Sequence, residues 1–454
     1  MKALTVLSIV AFSITTYAQQ PDLQFFRYWD QRGVHVFEPA KSDSVIFDGV
    51  KLRIGGAFTQ QYQGLNHENN AIAVLATDGK TNLNQLYPLG KGFNLATANL
   101  NMDVQLEDGI RLSLENYMSS RHHPEFWVKG GYIQVDKLPM LGNPDWFSKY
   151  LRVKLGHFQI NYGDQQFRRT DNGNAFFNPF VGNYIMDAFT TEIGGELYLF
   201  PVKNVVAMVG LTGGLINGDV RDYGEDQKKN PSIYTKLAYD NQVNSNLRIR
   251  ISGSLYRNNE TPRNTLYGGD RTGSRFYFAM EPQFFVSGGT ITASSTSNRF
   301  TSGRINPSLT NNITTWQINP FIKFKGLELF GAYEQATGYA NGDPRLDGQA
   351  KPDKRTINQV SVEGVYRFLK NEQVFIGGRY NTVTGELDAR IRDSQNQVTE
   401  LTINRIELTA GWFATRNLLL KAAYINQEYQ DFPSTDIRAE GKFDGFMIEA
   451  VLGF

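Results

Sequence analysis

Two adjacent arginines, Arg168 and Arg169, are the residues of this sequence best suited by type and spacing to do chemistry. A carboxylate and two aromatic rings follow them within a long polar segment, residues 161–187. Guanidinium groups bind anions through paired hydrogen bonds, and the attraction grows where little water screens it. The segment is therefore a candidate constriction in a pathway for anions, and the alternative is an external flap or a subunit contact. The candidate set is Arg168, Arg169, Asp171, Phe176 and Phe177.

The composition excludes several other kinds of site. The chain has no cysteine, so it has no disulfide, no cysteine-ligated metal and no thiol nucleophile. The histidines are scattered; the adjacent His122 and His123 point apart on an extended chain, and only His157 falls on a predicted strand. Lys and Arg number 46 against 45 Asp and Glu, so no basic field favours nucleic acid. We expect no metal, no cofactor, no nucleic-acid partner and no enzymatic activity.

The first 18 residues have the pattern of a secretory signal peptide. Met1-Lys2 supplies a basic start, a mostly apolar and uncharged run follows, and Thr16-Tyr17-Ala18 is an acceptable cleavage site. The apolar run is too short for a membrane-spanning helix. We therefore expect residues 1–18 to be removed and the mature chain to leave the cytoplasm.

Apolar and polar residues alternate with period two through nearly every ordered-looking segment. Val50, Leu52 and Ile54, for example, alternate with Lys51 and Arg53. Successive side chains of a strand point to opposite faces, so each such segment has one apolar and one polar face. Charges on a membrane-spanning strand must face the lumen, because a Lys or Arg facing lipid costs ~2–4 kcal/mol at the midplane. The predicted basic wall of the lumen consists of Lys51, Arg53, Arg111, Arg152, Lys154, Arg248, Arg250 and Arg379.

Short and long connections alternate along the chain, as tight turns on one rim of a barrel and long loops on the other would. This pattern predicts an all-β fold, a single transmembrane antiparallel barrel with short periplasmic turns and long outer loops. We count 18 strands, or 16 if the weakest two, 127–137 and 290–298, are not strands. The predicted parts are a signal peptide (1–18), a periplasmic N-terminal segment (19–48) and the barrel (49–454).

The last strand carries a second localisation signal. Ile448, Leu452 and the terminal Phe454 share one apolar face of it. A C-terminal strand with this alternation and a final Phe looks like the signal by which bacterial outer-membrane barrels are recognised. We therefore expect the barrel assembly machinery and outer-membrane lipid to be partners of the chain, and Phe454 to be part of the assembly signal.

Two patches of the sequence resemble a known family. Residues 25–38, FFRYWDQRGVHVFE, are followed by Lys41, and residues 166–175, QFRRTDNGNA, are followed by NPFVGN at 178–183. Both patches resemble porins from the Bacteroidetes group that look like relatives of the phosphate-selective porin O/P family. The resemblance implies an outer-membrane pore, with a homotrimer as the expected assembly. It does not fix phosphate as the solute.

These observations together predict a porin, a passive diffusion channel for small hydrophilic solutes. Basic residues outnumber acidic ones on the predicted lumen faces, which favours anionic, phosphate-like solutes beside neutral ones. The alternative for the charges is a neutral lattice in which wall arginines pair with neighbouring carboxylates. The alternative for the whole protein is a structural or accessory barrel subunit of an outer-membrane uptake or secretion complex.

Overall fold

The computed structural model describes residues 20–94, 96–120, 126–224, 228–268, 275–296, 299, 301–345 and 348–454. The predicted signal peptide and the His122–His123 pair lie outside these residues. No helix in the described part of the chain is long and apolar enough to cross a membrane.

Sixteen antiparallel strands close into a barrel. Each strand pairs with its neighbours along the chain, and β1 closes the ring by pairing with β3 on one edge and with β19 on the other. The barrel strands are β1 (Lys51–Glu68), β3 (Thr97–Glu107), β4 (Ile110–Ser119), β5 (Phe126–Val135), β6 (Leu151–Gln159), β7 (Thr191–Leu199), β8 (Val205–Thr212), β9 (Ser232–Gln242), β10 (Leu247–Asn258), β13 (Asn311–Phe324), β14 (Leu327–Tyr339), β15 (Arg355–Phe368), β16 (Val374–Gly385), β17 (Leu401–Thr415), β18 (Leu418–Gln430) and β19 (Lys442–Gly453).

Three further strands lie outside the ring. β2 (Gly92–Phe93) adds a short pairing to the edge of β1, and β11 (Phe284–Ser287) pairs only with β12 (Thr290–Ala293) in the described residues. One helix, α1 (Asp145–Tyr150), follows the 3-10 turn Pro139–Leu141 in the connection between β5 and β6. Further 3-10 turns occur at Gln31–Gly33, Gln165–Phe167 and Lys370–Glu372.

The count of 18 strands is wrong, and the alternative of 16 is right. The segment 127–137, one of the two weakest, is barrel strand β5. The strands predicted at 274–286 and 290–298 supply, in their described residues, only the β11–β12 hairpin inside the connection from β10 to β13. Gly288 and Gly289 turn this hairpin with positive φ, as in a tight rim turn. Local alternation cannot tell such a hairpin from a pair of wall strands, because only pairing with neighbouring strands places a strand in the ring.

The wall is apolar outside and polar inside. On β17, Ile406 and Leu408 are 48% and 54% exposed on the outer face. Arg405 and Glu407, which alternate with them, are 1% and 0% exposed. A protein in water would bury the apolar face instead, so this inversion fits a barrel whose outer surface meets lipid. Closure of the ring removes the two free edges that an open sheet would have, and the paired strands satisfy each other's backbone groups without water.

The two rims differ as the sequence predicts. Tight connections such as Lys325–Gly326 and Arg416–Asn417 lie on one rim, together with the start of β1 and the end of β19. The long connections leave the other rim, and the third of them, between β6 and β7, contains the candidate constriction. The β5–β6 connection is the exception. It lies on the rim of short turns but is long, because it contains α1.

Deleting Phe454 should lower the yield of folded barrel several-fold. Its backbone N–H donates to Gly56 O and its carbonyl accepts from Gly56 N–H, both at 3.2 Å, so it closes the last pair of the β1–β19 seam. Migration on unheated SDS gels, where a closed barrel stays compact, measures the folded fraction. Phe446→Leu, which changes another outward aromatic residue of β19, should leave the folded fraction unchanged; equal yields from both variants would contradict the role of Phe454.

Candidate functional site

The long connection from β6 to β7 folds into the barrel and crosses its interior. Wall amides hold its backbone: Asn99 Oδ1 accepts from Gly173 N–H at 2.8 Å, and Asn381 Oδ1 accepts from Ile185 N–H at 2.7 Å. These two contacts lie on β3 and β16, which are five strands apart around the ring. Inward-facing Asn side chains therefore replace the water that an exposed loop would use.

Arg168 and Arg169 lie in this loop and are almost completely buried. Arg168 contacts Glu363 at 3.0 Å and Glu328 at 3.3 Å, and Arg169 contacts Asp187 at 2.7 Å. Their charges are thus balanced by carboxylates within bonding distance. The role of the two arginines in selecting anions stays a prediction. Their contacts show that Arg168 attaches the loop to β14 and β15, whereas Arg169 pairs with a carboxylate of the loop itself.

The other three candidate residues of the constriction diverge from the arginines. Asp171 contacts Lys129 of β5 at 2.7 Å and accepts a hydrogen bond from the Tyr117 hydroxyl. Phe176 stacks on Phe413 of β17 with ring centroids 6.2 Å apart. Phe177 packs instead against residues of the N-terminal segment. The five residues therefore line the loop without converging on one point.

The predicted wall cations all point into the barrel, where they are buried or half-buried. Among the described residues, each of these cations except Arg53 has a carboxylate oxygen within 4 Å of a side-chain nitrogen. Arg53 instead donates to Pro21 O at 3.2 Å. This is the arrangement of the neutral lattice, in which opposite charges cancel at short range. The pairs are Lys51–Asp48 at 2.6 Å, Arg111–Asp103 at 2.7 Å, Arg152–Asp136 at 2.8 Å, Lys154–Glu196 at 3.7 Å, Arg248–Asp240 at 2.5 Å, Arg250–Asp164 at 2.5 Å and Arg379–Glu407 at 2.7 Å.

The N-terminal segment, described from residue 20 to 48, lies inside the short-turn mouth. Lys41 Nζ donates to Leu151 O at 2.7 Å, and Gln31 N–H donates to Arg416 O at 3.1 Å, so the segment spans from β6 to the β17–β18 turn. The sequence predicted a periplasmic segment before the barrel, but no contact with the lumen was predicted. Its aromatic density, with Phe25 and Phe26 among six such residues, was the available signal, because a solvated linker has no use for buried rings.

The N-terminal segment and the inward loop bind each other. Arg27 donates to Phe167 O at 3.0 Å and places its guanidinium 3.7 Å from the ring centroid of Phe177. Trp29 also stacks on Phe177, with ring centroids 6.3 Å apart. Burial, with the charge of Arg250 adding to it, lowers the pKa of Arg27 to about 9 despite the nearby Glu38. The two patches of family resemblance therefore form one packed unit in the lumen.

A group of charges around His35 fixes the N-terminal segment to the wall. His35 Nε2 lies 3.0 Å from Glu372, 3.4 Å from Glu328 and 3.1 Å from Lys323 Nζ. Burial lowers the pKa of His35, with Arg367 and Lys323 adding to the effect against the two carboxylates. Burial alone would raise the pKa of Glu372, but bonds from His35 and Lys323 lower it to about 2. The His35, Glu328 and Glu372 ligand atoms lie close enough to share a cation, and Lys323 Nζ already holds that position.

A cavity of about 190 Å³ remains between the N-terminal segment, the inward loop and the β3–β7 side of the wall. The N-terminal segment contributes Arg27 and Glu38, the loop contributes Asp171, and the wall contributes Arg111 and Lys154 among others. On the side of the lumen opposite β3–β7, the half nearer to the long loops is different. Buried apolar side chains of the loops and the wall fill that half. The β3–β7 side therefore has space for a hydrated solute, and a second cavity of about 520 Å³ lies near Glu38, Arg248 and Arg250.

Comparison with known proteins finds similar folds. The outer membrane channel DcaP of Acinetobacter baumannii is 10% identical over 89% of this chain and 98% of that one, with a TM-score of 0.49. An anion-selective porin from Comamonas acidovorans is 10% identical (89% and 100%, TM-score 0.48), and Pseudomonas putida OprB is 11% identical (89% and 94%, TM-score 0.49). At sequence identities this low, the comparison concerns the fold alone. No family model and no curated protein matches the sequence.

Acidification should loosen the N-terminal segment. A group whose pKa is lowered in the folded state stabilises that state above its unfolded pKa, about 6.5 for histidine, and the stabilisation is lost as the pH falls toward the lowered value. We expect residues 31–38 to exchange backbone hydrogens faster at pH 5 than at pH 7, after correction for intrinsic rates, as measured by mass spectrometry. His35→Asn should remove this difference; a difference that survives in the variant would assign it to another group.

Arg168→Ala should destabilise the barrel by about 3–5 kcal/mol, the cost of leaving buried carboxylates unpaired. Urea unfolding of protein refolded into lipid vesicles measures the change. Arg221→Ala, which removes a similar but exposed pair with Asp219, should have no measurable effect. Equal stability of the wild type and the Arg168 variant would show that the contacts of Arg168 with Glu328 and Glu363 do not hold the loop in place.

Proposed function

We propose that this protein is a narrow outer-membrane channel for small hydrophilic solutes. The carrying observation is the inversion of the wall: a closed barrel with an apolar outer surface and a charged interior suits a polar path through lipid. The β3–β7 cavity indicates where such a path runs. The N-terminal segment and the inward loop leave far less room than a wide diffusion pore needs.

The lining of this cavity supports a modest preference for anions. Its cations outnumber its carboxylates, although the carboxylates Asp136 and Asp187 just behind the lining offset two of the cations. With these two counted, six carboxylates match the six cations, so a preference for anions depends on the cations lying at the cavity surface while Asp136 and Asp187 lie behind it. The cations are Arg27, Arg111, Lys129, Arg152, Lys154 and Arg169; the carboxylates are Glu38, Asp103, Glu115 and Asp171.

The same proposal covers location and partners. The predicted signal peptide and Phe454 support a location in the outer membrane of a Gram-negative bacterium, and the short turns would then lie in the periplasm and the long loops outside. The packing of residues 25–38 against 166–183 supports membership of the Bacteroidetes porins that resemble the O/P family, because the two resembling patches act together. Outer-membrane lipid, the barrel assembly machinery and a homotrimeric assembly belong to this proposal, as does the absence of enzymatic activity.

One observation favours the alternative of an accessory subunit in an uptake or secretion complex. The long-loop half of the lumen is packed with apolar side chains such as Tyr162, Ile185 and Phe276, which are almost completely buried. A packed lumen needs no solute path, and its long loops would then serve to contact a partner. Conductance separates the two functions.

Lys154→Gln should shift the reversal potential toward cations. Lys154 lines the cavity and its nearest carboxylate, on Glu196, is 3.7 Å away, so its charge is less fully balanced than that of the shorter pairs. The test is single-channel recording in planar bilayers under a KCl gradient. Lys203→Gln removes an exposed lysine in the β7–β8 turn and should leave the reversal potential unchanged.

Two outcomes would count against the channel. The absence of any conductance from correctly folded wild-type protein would favour the accessory subunit. If the protein conducts and the two lysine variants shift the reversal potential equally, the channel function would stand. The β3–β7 cavity would then not be its path.

A further inference from the structure

The wall of the barrel is interrupted between β5 and β6. These strands pair only from Gly131–His157 to Val135–Val153, whereas β15 and β16 pair from Ile357–Gly385 to Phe368–Val374. The part of β5 from Phe126 to Gly130 has no partner on its β6 side among the described residues. Unpaired strand backbone at membrane depth costs several kcal/mol per group unless another polar group approaches it.

A bulge in β5 causes part of this interruption. The register of β5 against β4 shifts between Glu115–Gly130 and Asn116–Val128, which leaves Lys129 as the extra residue. A bulge reorients a side chain and bends its strand. Lys129 consequently turns inward, while Val128 remains 65% exposed on the outer face.

A crevice of about 240 Å³ occupies the gap. Its outer part is formed by residues that face out of the barrel, Val128, His157 and Thr191, and by Ile216 of the next long loop. Its inner part reaches residues that face inward, among them Tyr117 and the buried Lys129. The crevice therefore passes from the lipid-facing surface into the wall, and Lys129 also lines the internal cavity.

The charges at the inner end of the crevice determine what it can hold. Lys129 Nζ lies 3.0 Å from Glu115 and 2.7 Å from Asp171, so one ammonium faces two carboxylates. Arg169 nearby contacts Asp187, and Lys154 lies 3.7 Å from Glu196. The charged groups at this end already have partners of opposite sign, so an anionic or a cationic head would have to compete with an existing ion pair. An uncharged polar group avoids this competition and can still accept a hydrogen bond from Lys129.

Aromatic residues supply the remaining lining. Tyr117 and Trp127 pack edge to face with ring centroids 5.9 Å apart, and Phe189 lies opposite them. Such rings favour a planar aromatic ligand over a flexible chain, because offset or edge contacts add to simple burial. The geometry points to a binding site for an uncharged aromatic alcohol or phenol that enters the wall from the membrane side. The site does not depend on whether the lumen conducts.

Photolabelling tests the site in full-length protein in lipid vesicles. The probe is benzyl alcohol carrying a diazirine, and mass spectrometry locates the labelled residues. We expect saturable labelling within residues 126–130 and 214–217, reduced about fivefold or more by excess 2-naphthol and not by decanoate. Val128→Trp, which fills the crevice, should abolish the saturable labelling. Ile133→Trp is the matched control, because Ile133 is outward-facing on the same strand but paired with Leu155.

A second variant guards against misfolding. Ile216→Trp fills the crevice from the loop and leaves the strand ladder untouched, so it should give the same loss as Val128→Trp. Unheated SDS migration checks that every variant is folded. Labelling spread evenly over the outer surface without saturation, or unchanged in folded Ile216→Trp protein, would overturn the site. Competition by decanoate as strong as that by 2-naphthol would overturn the ligand class.

Discussion

The need to balance buried charge organises the interior of this barrel. The wall faces lipid, so its charged residues point inward, where each costs several kcal/mol unless a partner lies close. Glu363 shows the result: it binds Arg168 of the inward loop, Arg379 of the neighbouring strand and the Tyr184 hydroxyl. Loop and wall are thus joined by the same ionic contacts that neutralise the lumen.

The N-terminal segment follows the same rule at the short-turn mouth. His35 joins it to Glu328, which also binds Arg168 and Arg367. One carboxylate of β14 is therefore shared by the N-terminal segment, the inward loop and β15. The mouth and the middle of the lumen are therefore connected through this shared carboxylate.

This arrangement changes the expected character of the pore. An open porin wall of unpaired arginines would attract anions strongly, whereas pairs at about 3 Å cancel each other's fields within a short distance. Selectivity then depends on the few groups with looser partners, such as Lys154, and on the size of the remaining cavity. The alternative of a neutral lattice describes most of the wall, and a weak residual anion preference is the proposal that remains.

The sequence by itself determined the barrel, its two unlike rims and the inward direction of the wall charges, because alternation along a strand is a local property that lipid outside and water inside make strict. It could not determine the strand count, since the 284–293 hairpin alternates as wall strands do. Nor could it show that Arg168 and the N-terminal segment are held by carboxylates of distant strands. Partners more than a hundred residues apart are chosen only when the ring closes, because closure alone brings their side chains within bonding distance.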